Sequence, residues 1–131
     1  VPARNIIFLS FAVSFAEAIG AQTVFIGANA VDYSGYPDCR PEFYEAFGRV
    51  LECGLKSGVE NKPVKVETPL LNMSKAQIIQ MGLQWHVPYH LTWSCYKGGA
   101  TPCGTCDSCF LRAKGFQASG IPDPLLKSKR P

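Results

Sequence analysis

Apolar residues recur at helical spacing from the start of the chain. Ile7, Phe11, Phe15 and Ile19, with Phe8, Ala12 and Ala18 alongside, predict a helix that follows Pro2 and stops at Gly20. So little of this segment is polar that it should lie between layers. Thr23 to Ala28 is a short continuous apolar run with β-branched residues, which predicts a buried parallel strand. Residues 29–40 form a loop rich in Gly, Pro, Asp and Tyr. Pro41 suits the first turn of a helix, Phe43, Phe47, Val50, Leu51 and Leu55 give that helix its apolar stripe, and Gly58 ends it. Val64 to Thr68 alternates between Pro63 and Pro69 and predicts a second strand. Ser74 is a good N-cap for a short helix with Ile78, Ile79 and Met81 inward and Gly82 at its end. After Pro88 come an irregular cysteine-bearing stretch, 92–106, and a last helix from Asp107 to Ser119 closed by Gly120. The proline- and lysine-rich tail, 122–131, is expected to trail over the surface.

Helices alternating with strands imply an α/β fold, with a parallel sheet covered on both faces. Two parallel strands do not make a self-sufficient sheet. Further strands are therefore expected upstream of Val1, and a chain that opens on Val is expected to be part of a longer protein. The first helix and strand would then expose faces that a fuller sheet covers. The chain divides by composition at residue 88, into an α/β portion (1–88) and a cysteine loop, helix and basic tail (89–131).

Composition narrows the function classes. With 131 residues, 47% of them hydrophobic and 18% charged, the chain has a domain's worth of core and is not a disordered segment. The net charge of +3 is split, −1 over residues 1–88 and +4 over 89–131. That is modest for a dedicated nucleic-acid binder. The greasiest stretch, Ile6 to Ile19, is broken by Ser10, Ser14 and Glu17 and is too short to span a bilayer. It also lacks the basic leader and cleavage pattern of a signal peptide.

The strongest chemical signal is Cys95, Cys103, Cys106 and Cys109, spaced C-x7-C-x2-C-x2-C among Gly98, Gly99, Pro102 and Gly104. Such spacing lets four thiolates converge on one ion, and four thiolates suit a closed, tetrahedral, structural zinc. Two other uses compete. Disulfides need an oxidising compartment, and Cys106 and Cys109 on adjoining turns are poorly placed to pair. An iron–sulfur cluster also uses C-x2-C-x2-C, but its bacterial pattern continues to a fourth cysteine and a proline, where this chain has Phe110-Leu111-Arg112. Cys39 and Cys53 stand outside the cluster, and Cys53, in a helix, is expected to be a small core residue.

The loop from Asn29 to Arg40 follows the C-terminal end of a strand, where open α/β sheets bind ligands. Carboxylates at Asp32 and Asp38 suit the exocyclic amine and ring N–H of a purine-like base, Tyr33 and Tyr36 suit its faces, and Arg40 suits a ligand carboxylate. A turn-rich surface loop has the same composition, and residue types alone do not separate the two. Lys75 in the first turn behind Ser74 fits a phosphate site, or a solvated lysine. Arg4 and Asn5 could cap the first helix or reach a nucleotide phosphate. His86 and His90 have no ligand spacing to the cysteines.

Taken together, these pieces resemble the 7-cyano-7-deazaguanine synthase (QueC/ExsB) family over residue 1 to about 125. The resemblance is carried by Val1-Pro-Ala-Arg-Asn5, Asp32-Tyr-Ser-Gly-Tyr-Pro-Asp-Cys-Arg40, and Thr68-Pro-Leu followed by Lys75. It is carried equally by Ser94-Cys95-Tyr96 with Cys103-Gly-x-Cys106-x-x-Cys109-x-x-Arg112. It implies a Rossmann-like fold of the adenine nucleotide alpha hydrolase type. It also implies a cytoplasmic, homodimeric ligase of queuosine biosynthesis, with no membrane and no stable nucleic-acid partner. The implied reaction turns 7-carboxy-7-deazaguanine, ammonia and ATP into the nitrile, with a bound zinc. By the same resemblance Asp32, Tyr33, Ser34, Gly35, Tyr36, Asp38 and Arg40 frame the deazaguanine. Arg4, Asn5 and Lys75 lie near the nucleotide phosphates, and Cys95, Cys103, Cys106 and Cys109 hold the zinc. The family's Ser-Gly-Gly-x-Asp-Ser phosphate loop has no counterpart in this sequence. It is expected upstream of Val1, so the chain alone is not expected to turn over ATP.

Two readings of other classes compete. The basic, cysteine-rich end could make a zinc-based nucleic-acid module, although zinc ribbons separate two C-x2-C pairs that are here merged into one cluster. Cys103 and Cys106 could instead be a redox dithiol, which an occupied tetrad would abolish.

Overall fold

The computed structural model describes residues 2–30 and 35–127. They fall into two compact units, divided after Asn72. The first unit holds a helix α1 (Arg4–Ile19), a strand β1 (Thr23–Phe25), a helix α2 (Pro41–Gly54), a one-turn helix α3 (Lys56–Val59) and a strand β2 (Lys65–Glu67). The strands pair in parallel, with Thr23 opposite Lys65, Val24 opposite Val66 and Phe25 opposite Glu67. Single bonds extend the pairing, from the Ile26 amide to the Glu67 carbonyl (3.0 Å) and from the Ala30 amide to the Leu71 carbonyl (2.9 Å). Among the described residues this is an α/β chain with one small parallel sheet.

Leu9, Val13 and Ala16 of α1 and Tyr44, Phe47 and Leu51 of α2 meet Ala28, Val64 and Leu71 in the core of this unit. The α1 stripe predicted from spacing is therefore not the packed one. Phe11, Phe15 and Ile19 are 74%, 65% and 61% exposed, and Phe25 of β1 is 71% exposed. Helix α1 has two apolar stripes, and only the one with smaller side chains meets the core. On α2, Val50 is exposed and Tyr44 takes its place. Cys53 is exposed, contrary to the expectation of a core residue. It lies two residues beyond Leu51, on the far side of the helix from the buried stripe. Helix α2 also ends earlier than expected, because Leu55 is extended and starts α3 afresh.

The second unit begins with helix α4 (Lys75–Gln84), nucleated by a full capping box: Ser74 Oγ accepts from the Gln77 amide and Gln77 Oε1 accepts from the Ser74 amide. Helix α5 (Asp107–Ser119) ends on left-handed Gly120. The two pack closely because Gly115 has no Cβ; one would lie 3.0 Å from Lys75 Cβ and 3.2 Å from Ile79 Cδ1. Gly82 does not end α4 as expected. It is buried against the ring of Tyr89, whose hydroxyl donates to the Ile78 and Ile79 carbonyls (3.2 Å each).

Residues 122–127 do not trail over the surface. Asp123 is buried, and a short helix α6 (Pro124–Lys127) follows it with Leu125 inward. Asp123 Oδ1 accepts from the Leu125 amide, the bond of an N-cap, with Pro124 at the first helical position. Residues 128–131 lie outside the described residues. No helix among the described residues is long and apolar enough to cross a membrane.

A patch made of Phe8, Phe11, Phe15 and Ile19 should drive self-association. We expect the 131-residue chain to sediment as oligomers at tens of micromolar, and the Phe11→Ser/Phe15→Ser double variant to shift toward monomer with its helix content retained. A monomeric parent chain would contradict this.

Candidate functional site

Cys95, Cys103, Cys106 and Cys109 bring their sulfurs within 4.8 Å of one another. Three features of the chain produce this convergence. Left-handed Gly104 (φ 72°) turns the chain between Cys103 and Cys106, so that the amides of Thr105 and Cys106 both face Cys103 Sγ, at 3.4 and 3.3 Å. Cys106 then stands at the N-cap position of α5, and Cys109 lies in the first turn of that helix. Cys95 arrives from the other side, its carbonyl accepting from Trp93 Nε1 (2.9 Å) and its sulfur accepting from the amides of Lys97 and Cys103 (3.4 Å each).

The geometry discriminates between the uses of the cluster. Cys103 and Cys109 hold their sulfurs 4.0 Å apart, and all six cysteines are free. A disulfide would need about 2.05 Å. A tetrahedral ion with metal–sulfur bonds of about 2.3 Å needs sulfur–sulfur edges of about 3.8 Å. The tetrad is thus close to the shape of a four-thiolate ion site.

Its electrostatics point the same way. Cys103 is pushed down to about 5, chiefly by the Thr105 amide, with the Thr105 hydroxyl and Cys106 amide adding to it. Cys106 is lowered too, first by the Tyr96 amide. Cys109 is pushed up to about 12, first by burial, with the neighbouring sulfurs adding to it. Sulfurs this close cannot all be thiolates without a cation among them, and a dication removes that conflict. The residues fit a zinc ion, and with all four positions taken by protein such an ion would be structural.

In the first unit, Arg4, Asn5, Tyr36 and Asp38 line one small pocket. Two of these come from the phosphate set and two from the loop set of the sequence reading. Asp38 is buried in a one-turn 3-10 helix, Pro37–Cys39. Its Oδ2 accepts from the Asn5 amide (2.8 Å), while Asn5 Nδ2 donates to the Asp38 carbonyl (3.0 Å) and to Cys39 Sγ (3.2 Å). Tyr44 donates to the same carbonyl (3.2 Å). Asp38 thus caps α1 from a loop 33 residues away, where α1 has no side-chain cap of its own. The Arg4 guanidinium lies 6.0 Å from the centre of the Tyr36 ring.

Arg40 is exposed at the start of α2, and Gly35 is exposed with φ 61°. Asp32, Tyr33 and Ser34 lie outside the described residues. Lys75 opens α4 in the second unit.

Sequence reasoning missed the ion pair of Arg112 with Asp123, whose side chains are 11% and 5% exposed. Arg112 stands in the quoted cysteine motif without a role, and Asp123-Pro124 is a helix-start signal that a proline-rich tail disguises.

Comparison with known proteins supplies the family. The family model described as queuosine biosynthesis protein QueC matches residues 1–120. A 7-cyano-7-deazaguanine synthase of Acetivibrio thermocellus is 61% identical over 130 residues, covering 99% of this chain and 59% of its own length. One from a Nostoc species is 58% identical over 125 residues, 95% of this chain and 55% of its own. One from Thermoplasma volcanium is 56% identical over 131 residues, all of this chain and 54% of its own. The chain therefore spans a little over half the length of these relatives and matches their C-terminal part.

The tetrad should hold its loop together, because among residues 92–106 only Cys95 is buried. Stripping the metal should raise amide hydrogen exchange across residues 92–110 by about ten-fold or more. Exchange in α2 should stay unchanged. Retained protection in the stripped loop would show that the cysteines do not organise it.

Proposed function

The chain belongs to the QueC family, and we propose that it forms part of a 7-cyano-7-deazaguanine synthase, a carbon–nitrogen ligase of queuosine biosynthesis. The observation that carries this reading is identity of 54–61% to proteins of that name over nearly the whole chain. In this reading 7-carboxy-7-deazaguanine, ammonia and ATP are the substrates. ATP activates the carboxylate, ammonia displaces the activated oxygen to give an amide, and a second activation removes the amide oxygen to leave the nitrile. Both carboxylate oxygens leave on phosphate-bearing groups, and the nitrile carbon keeps its oxidation level.

The division of labour follows residue 88. Residues 1–88 belong to a Rossmann-like nucleotide-binding domain of the adenine nucleotide alpha hydrolase type, and 89–131 form the zinc loop, helix and basic tail. Asp32, Tyr33, Ser34, Gly35, Tyr36, Asp38 and Arg40 frame the deazaguanine, and Arg4, Asn5 and Lys75 serve the nucleotide phosphates. The shared pocket of Arg4, Asn5, Tyr36 and Asp38 supports this, because it sets a cation and an amide beside the aromatic and acidic groups of the loop. The zinc, on Cys95, Cys103, Cys106 and Cys109, supplies structure. The enzyme is a cytoplasmic homodimer with no membrane or stable nucleic-acid partner.

The test is made on the intact protein. Nitrile formation should require 7-carboxy-7-deazaguanine, ammonia and ATP together. Asp38→Asn should raise KM for the deazapurine about ten-fold or more, since a mispaired buried group costs about 1–3 kcal/mol. Circular dichroism should report a retained fold, because asparagine can still accept from the Asn5 amide. An unchanged KM would move the base pocket elsewhere, and RNA binding without nitrile formation would favour the nucleic-acid module.

A further inference from the structure

Arg112 is a heavily bonded side chain of the second unit. Its Nε and Nη2 grip the two carboxylate oxygens of Asp123, at 2.5 and 2.8 Å. Nη2 also donates to the Tyr89 carbonyl (3.2 Å). Nη1 donates to Thr92 Oγ1 (2.9 Å), to the Thr92 carbonyl (3.3 Å) and to Ser94 Oγ (3.4 Å). The guanidinium also sits 5.1 Å from the centre of the Phe116 ring. A planar, always-charged fork points five N–H groups in fixed directions and, with one of the Nη1 hydrogens shared, reaches all of these acceptors, whereas the three N–H groups of a lysine cannot.

The position of these acceptors matters more than their number. Cys103, Cys106 and Cys109 are close in sequence, and helix α5 and the Gly104 turn fix them without outside help. Cys95 is the remote ligand, and the seven residues between it and Cys103 include Gly98 and Gly99. Arg112 stands one helical turn after Cys109 and binds Tyr89, Thr92 and Ser94, the stretch that leads directly into Cys95. It therefore ties the helix bearing one ligand to the segment bearing the remote one. Asp123 fixes the guanidinium from behind.

We propose that Arg112, held by Asp123, is a positioning residue for the metal centre: it sets Cys95 in place so that the tetrad can close on zinc and hold it. The inference rests on the zinc reading given above. Partners behind a metal site typically change metal affinity about ten- to a hundred-fold when removed.

The readout is the rate at which the zinc-loaded full chain gives up its metal to a chromogenic chelator. Arg112→Lys keeps the charge facing Asp123 but loses the fork, and should release zinc about ten-fold faster or more. Thr92→Val removes the hydroxyl that accepts from Nη1 and donates to the Tyr89 carbonyl (2.8 Å), and should accelerate release about three-fold. Combined, they should fall short of the product of the two effects, because Thr92 acts in part through Arg112 and in part through its own bond to the Tyr89 carbonyl. Ile79→Ala, in the α4–α5 contact, serves as the stability control. It should lower Tm at least as much as Arg112→Lys and leave release within about two-fold of the parent. Parent-like release from Arg112→Lys, or equal acceleration by Ile79→Ala, would overturn the proposal while leaving the zinc reading intact. A parent chain that holds no zinc would overturn both.

Discussion

Four sulfurs on backbone that arrives from two directions must share a space the size of one metal ion. In the second unit this constraint orders the other choices. Loop 92–106 contributes almost no apolar burial, so its conformation must come from polar and coordinate bonds. The amides of Thr105 and Cys106 around Cys103, and those of Lys97 and Cys103 around Cys95, pre-form part of the thiolate environment. What the amides cannot offset is the cost of holding all four sulfurs as thiolates: burial first, and the neighbouring sulfurs after it, push the Cys109 thiol up. A dication supplies that compensation, which is why sulfur geometry and sulfur electrostatics lead to the same ligand.

The first unit depends on a different link. Helix α1 starts on left-handed Ala3, without a cap in its own sequence, and takes its acceptor from Asp38. One carboxylate thereby joins the start of the helix to the loop after β1. The same contact brings Arg4 and Asn5 beside Tyr36, so the two residue sets assigned to nucleotide and base are adjacent because of a helix cap. A side chain that shapes the pocket and caps the helix has little freedom to change.

What could be read in the sequence was mostly local. The bounds of α5 follow from Asp107 and Gly120, and the start of α4 follows from Ser74 and Gln77. The cysteine spacing foretells the tetrad, because three of its members are within one helical turn or one tight turn of another. The failures share a cause: they concern surfaces and partners distant in sequence. Helix α1 is apolar on two sides, and periodicity cannot say whether Leu9 and Val13 or Phe11 and Phe15 meet the sheet. Cys53 is a small residue in an amphipathic helix, and its angle to Leu51 decides its exposure. Asp38 and Asn5, or Arg112 and Asp123, are pairs that no window of sequence connects. The family motifs singled out Asp38 and Arg112 as positions, while the contacts of each became legible only in the fold.

The central claim is that the four cysteines form one closed metal site that organises the end of the chain. X-ray absorption at the zinc edge of freshly purified, reduced protein tests it most directly. The account predicts one zinc per chain with a single shell of four sulfurs at about 2.3 Å. A shell containing nitrogen or oxygen, or freshly purified protein that gives no zinc-edge signal, would contradict it.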